Sequence, residues 1–168
     1  MNAAHLHLIV NHLPLFAALF AGALLAVGLL RKHKPLTDAG LVLAMVAGLG
    51  AFAAAQTGER AEEIAEGLPA VTETSIESHE EAAQAALFTS IALGVLALAA
   101  LAVPARMAGA KRAATLGSLV FAVAAFALVG RAANLGGMIR HTEISDGATT
   151  TSSGEAGEDD EEDEGIEH

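Results

Sequence analysis

Seven histidines are the residues of this 168-residue chain best suited to chemistry. His5, His7 and His12 lie in one stretch, HLHLIVNHLP (5–14), where an apolar segment begins. His79 stands just before the third apolar segment, and His141 follows the fourth. Of the other two, His33 sits between segments and His168 ends the chain. A neutral imidazole can ligate haem iron or a zinc, copper or iron ion, and it titrates near neutral pH. Cysteine is absent, which excludes thiolate metal sites, disulfides and covalent c-type haem attachment. No nucleophile–base pair, phosphate loop or nucleotide fingerprint is present, so autonomous enzyme activity is not expected.

The elements that must position these side chains are membrane helices. A mean hydropathy of +0.48 is too high for an ordinary soluble domain, and the apolar residues are gathered in four long runs. These predict an all-α, four-helix transmembrane bundle in residues 1–144, with spans near 8–30, 38–56, 82–103 and 113–133. A cleaved leader is not expected, because no Lys or Arg precedes the first run and no small-residue cleavage site follows it. Pro35 reads as a stop between the first two helices, with Thr37 or Asp38 capping the second. Thr57–Gly58 reads as a break. After it, Ala61, Ile64, Ala65 and Leu68 share a helical face, predicting a short interfacial helix ended by Gly67 and Pro69. Capping boxes at Thr74–Glu77 and Ser78–Glu81 predict the start of the third helix. Trp and Tyr are absent, so no aromatic belt exists. Eleven of the twenty acids lie after Arg140, and residues 145–168 read as a disordered acidic tail.

Basic residues orient the bundle. Arg31, Lys32 and Lys34 join the first two helices, and Arg106, Lys111 and Arg112 join the last two. By the positive-inside rule these loops face the cytoplasm. Both termini, the acidic 57–81 loop and the tail then face outward, which is the periplasm for a bacterial inner membrane. Partners are the lipid bilayer and not nucleic acid, since no basic stripe is available to neutralise phosphates.

Depth can be counted from the basic edge at Leu30, Thr37, Val103 and Ala113. Climbing 1.5 Å per residue, His12, Gln56, Gln84 and Arg131 all arrive at about 27 Å. About 9 Å higher come His5, His7, Glu62, Glu63 and His79, with Asn134 and Met138 bracketing that level and His141 a turn above. Arg131, Asn134, Met138 and His141 fall on one helical face, as do His5 and His12. Imidazoles from three helices are thus expected in one layer, and ionisable groups inside a bundle mark a site.

Several of these residues resemble a known family. His7-x4-His12-Leu13-Pro14-Leu15, Thr57-Gly58 with Ala61-Glu62-Glu63, His79-Glu80 and Asn134-Leu135-Gly136-Gly137-Met138-Ile139 are similar to motifs of the DUF2231 family of four-helix bacterial membrane proteins. The resemblance spans residues 4–144. Asn11-His12-Leu13 replaces a more typical Val-His-Phe, and Arg140-His141-Thr142-Glu143 stands where the family has a Tyr and a His-Gly. His7, His12 and His79 follow the pattern. Some relatives resemble modules fused to cytochrome c domains, so the resemblance implies an electron-transfer setting with a cytochrome or another respiratory-complex subunit as partner.

Three readings of the site follow. In the first, a b-type haem is ligated by His79 with His7 or His12, or touched by His141. Arg131 pairs with a propionate there, and Gly136 and Gly137 admit the macrocycle. In the second, His7, His12 and His79 hold a bare Zn, Cu or Fe ion with Glu59, Glu63 or Glu80. In the third, no cofactor binds and a polar cap docks a partner in a membrane complex, with Arg131 paired to Glu59 or Glu80. A channel is disfavoured, because the half of the bundle nearest the basic loops is Ala, Leu, Val and Gly.

Overall fold

The computed structural model describes residues 3–65 and 72–140, all of them in helices and their short connections. The first span is α1 (Ala3–Val10) followed by α2 (His12–Leu30). Then come α3 (Lys34–Ala65), α4 (Glu73–Ala102), a 3₁₀ turn (Ala105–Met107) and α5 (Ala108–Arg140). Four stretches are long and apolar enough to cross a bilayer: His5–Leu30, Lys34–Glu59, Glu73–Ala102 and Ala105–Ile139. The four predicted spans are therefore present, each carried further by helix than its apolar run.

Asn11 separates α1 from α2 without turning the chain. Its backbone stays in the right-handed helical region, and its N–H donates to the His7 carbonyl at 2.9 Å. The irregularity traces to Pro14, which has no N–H for the carbonyl of Val10 four residues earlier.

The expected ends of the elements differ from the observed ones for local reasons. After α2, Lys32 takes a left-handed φ of 51°. The N–H of His33 then reaches the Gly28 carbonyl at 2.8 Å and that of Lys32 reaches Leu29 at 3.3 Å, a Schellman closure. His33, rather than Thr37 or Asp38, caps α3: its Nδ1 accepts from the Leu36 N–H at 3.3 Å. Pro35 is no stop. It lies in the first turn of α3, where a missing N–H costs nothing. Asp38 instead pairs with Lys34 one turn earlier.

Thr57–Gly58 does not break α3, which runs on to Ala65, so the acidic segment begins as a continuation of that helix. The Thr57 hydroxyl donates back to the carbonyls of Ala53 and Ala54 at 3.1 and 3.0 Å, so it is satisfied inside the helix. Gly67, Leu68 and Pro69 lie outside the described residues. Helix α4 is capped by Thr72, upstream of both predicted boxes. Its Oγ1 accepts the Ser75 N–H at 3.3 Å, while the Ser75 hydroxyl donates to the Thr72 carbonyl at 2.7 Å. Val103, made extended by the following proline, ends it.

The spans pack as a closed ring, α2 on α3, α3 on α4, α4 on α5 and α5 back on α2, with α2 and α4 on a diagonal. The α5–α2 seam is the thinnest of the four. The core is built of small residues: Ala21, Ala44, Ala47, Ala97, Ala100, Ala122 and Ala125 are fully buried. Small side chains let helix backbones approach closely, which is what holds spans together in lipid. Phe20, Phe52, Phe88 and Val123 point outward, as expected of a surface solvated by acyl chains.

The two halves of the ring have one design. Buried Pro14, Ala18, Ala21, Leu25 and Gly28 of α2 match buried Ala86, Ser90, Leu93, Ala97 and Ala100 of α4 at a constant offset of 72 residues, as from Pro14 to Ala86. Buried Gly40, Ala44, Ala47 and Ala51 of α3 match buried Ser118, Ala122, Ala125 and Val129 of α5 at an offset of 78, as from Ala44 to Ala122. The bundle is two equivalent helical hairpins.

Candidate functional site

His7 and His79 occupy equivalent places in the two hairpins, at the same offset of 72 as the core of their helices. Each half-buried ring leaves its own helix and binds the backbone of its hairpin partner. His7 Nδ1 lies 3.0 Å from the Ala54 carbonyl of α3, and His79 Nδ1 lies 2.9 Å from the Ala132 carbonyl of α5. A carbonyl can only accept, so Nδ1 carries the proton in both rings. The Thr57 hydroxyl oxygen, 3.2 Å from His7 Nδ1, is a second acceptor for that proton.

A glycine one turn beyond each carbonyl makes this possible. A Cβ on Gly58 would stand 3.3 Å from Cε1 of His7, and one on Gly136 would stand 3.0 Å from Cε1 of His79. The side chain four residues beyond a helical carbonyl covers that carbonyl. Glycine leaves it open, so the ring can lie on the helix and reach a second lone pair of an oxygen already used within the helix. Ala54 with Gly58 and Ala132 with Gly136 keep the offset of 78.

With Nδ1 committed, Nε2 of each ring holds a lone pair. Among the described residues it makes no hydrogen bond. His7 and His79 are thus a matched pair at one end of the bundle. On the same face of the helix as His7, one turn deeper, Asn11 carries a buried Oδ1 with no hydrogen-bond partner among the described residues. A buried polar atom left unpaired is costly unless a bound group or water meets it.

The other predicted site residues lie elsewhere. His12 is exposed, and its Nδ1 bonds the Leu8 carbonyl of its own helical run at 2.9 Å. Gln84, which occupies the equivalent place in α4, is also exposed and donates to Glu80 Oε1 at 3.4 Å. Gln56 and Arg131 are exposed as well. The polar residues expected at one depth thus face outward from the bundle, not into it. Arg131 forms no ion pair with Glu59 or Glu80, both exposed, among the described residues. Asn134 is exposed and its amide reaches Met138 Sδ at 3.6 Å. Among the described residues no three of His, Asp and Glu gather in a way that would hold a metal ion, so His7, His12, His79, Glu59 and Glu80 are not brought together. His141 lies outside the described residues, as do the side chains of Glu62 and Glu63.

Two aspects of the site escape sequence reasoning. The hydrogen-bond acceptors are backbone carbonyls, which leave no mark in residue type. The glycine four residues after each is a trace that can be read once the hairpins are aligned. Comparison with known protein families, with curated proteins and with solved structures finds no match to this chain.

Proposed function

We propose that this protein is a membrane electron carrier that holds a b-type haem between His7 and His79. The observation that carries the reading is the matched pair of imidazoles. Each donates Nδ1–H to a backbone carbonyl and keeps Nε2 available, as axial ligands do when an outer hydrogen bond sets their tautomer and raises their basicity. The two rings come from α1 and α4, whose spans lie across the diagonal of the ring, so a planar group between them would have α3 and α5 on its flanks. The group would supply one-electron chemistry; the chain would supply ligation, orientation and a low-dielectric wall. Asn11 Oδ1 would meet that group or a water beside it. Arg131 is exposed and leaves propionates to solvent or to a partner. The site lies at the end away from Arg31, Lys32, Lys34, Lys111 and Arg112, which by the positive-inside rule is the periplasmic side of a bacterial inner membrane. A cytochrome or another respiratory-complex subunit would be the partner of such a carrier, in keeping with the resemblance to the DUF2231 family.

The same hydrogen bonds favour one other reading. They already tie α1 to α3 and α4 to α5, and a docking subunit with no cofactor needs only that. Absorption spectroscopy of the detergent-purified protein after haem-replete expression separates the two. The haem reading expects a Soret band with a six-coordinate, low-spin spectrum, lost in His7→Ala and in His79→Ala and kept in His12→Ala. A colourless wild type ends that reading. The clamp reading then expects both losses to lower stability by about 1 kcal/mol with no change in colour.

A further inference from the structure

We propose that a crevice at the opposite, basic end binds the headgroup and an acyl chain of one anionic phospholipid. The crevice follows the thin α5–α2 seam. Its walls are apolar, from Ala26, Leu29, Leu116 and Leu119. Its rim carries Lys32, Lys34, Lys111 and Arg112. Lys34 is neutralised by Asp38. Lys32, Lys111 and Arg112 have no carboxylate partner among the described residues, so three cations converge on a greasy slot with nothing to balance them.

The turn that presents Lys32 points the same way. Its left-handed φ of 51° suits glycine, which is the usual residue at this position of a Schellman closure. A lysine held there is strained, and such strain is a reason to look for function. A phosphodiester fits the rim by charge, and an acyl chain fits the wall by its lack of polarity. A soluble phosphate would gain nothing from the wall. Basic pockets between spans bind anionic headgroups by this combination. Loop charge that only orients the chain would need no slot beneath it.

The test is native mass spectrometry of the full-length protein, released from a neutral detergent after addition of dioleoyl-phosphatidylglycerol or dioleoyl-phosphatidylcholine. One phosphatidylglycerol should be retained in preference to phosphatidylcholine. The variant Lys111→Gln/Arg112→Gln should weaken retention about fivefold per charge removed. The variant Arg31→Gln/Arg106→Gln, which removes as much charge away from the rim, should leave it unchanged. Ala26→Phe, which fills the slot and keeps every charge, should also lose the lipid, with circular dichroism reporting that the helices remain. Equal loss in the two double variants, phosphatidylcholine held as tightly, or displacement of the lipid by millimolar inorganic phosphate would each overturn the proposal.

Discussion

The paired histidines draw their geometry from glycine. Where Gly136 sits, an added methyl would stand 3.0 Å from Cε1 of the His79 ring, which is tighter than an ordinary contact. The ring would have to shift by a few tenths of an ångström, against its bond to the Ala132 carbonyl. Next to it, Gly137 has nothing within 4 Å of its would-be Cβ. Alanine in a helix interior is ordinarily better than glycine by about 0.5–1 kcal/mol. Gly137→Ala should therefore raise thermal stability in detergent by that amount. Gly136→Ala should show no such gain and should lose the Soret band. A gain of the same size in both would mean that the ring does not rest on the helix. At this scale the residue types were legible and their directions were not. His12 follows His5 by seven residues and so shares its face, yet its ring faces outward and bonds its own helix. Spacing along one helix says which residues lie together, not which way that face turns.

Spans were legible in number and order because soluble folds seldom carry a run of apolar residues long enough to cross a bilayer. Their ends were not, because ends are decided by one or two hydrogen bonds. Thr57–Gly58 looks like punctuation and is helix, with the Thr57 hydroxyl bonded back to its own turn. Thr72 was hidden by two better-looking boxes just downstream. It is the residue whose side chain accepts the N–H that opens α4. Thr72→Ala should lower stability by about 1 kcal/mol, measured by thermal unfolding in detergent. Thr74→Ala and Ser78→Ala should each stay within about 0.5 kcal/mol of the parent. Reversal of that order would restore the downstream boxes as the start of the helix.

Across the whole molecule, the relation between the two hairpins is hard to read in the chain, because it takes two different offsets, 72 for the first helix of each hairpin and 78 for the second. Identities remain, among them His7 with His79, Leu15 with Leu87, Gly22 with Gly94, Ala44 with Ala122, Ala54 with Ala132 and Gly58 with Gly136, but most are the Ala, Leu and Gly that every span is rich in. In the core Pro14 matches Ala86, Ala18 matches Ser90 and Leu25 matches Ala97, exchanges that keep burial and lose resemblance. A guest seated between the histidines would face the same imidazole, carbonyl and glycine from either side. Turned over by half a turn, the macrocycle proposed for this site would meet nearly the same chemistry. Two rotational isomers should then coexist near parity, seen as doubled haem-methyl resonances in proton NMR. Asn11, whose counterpart is Ala83, is the residue beside the site that tells one face from the other. Replacing it with alanine should bring the two populations closer still.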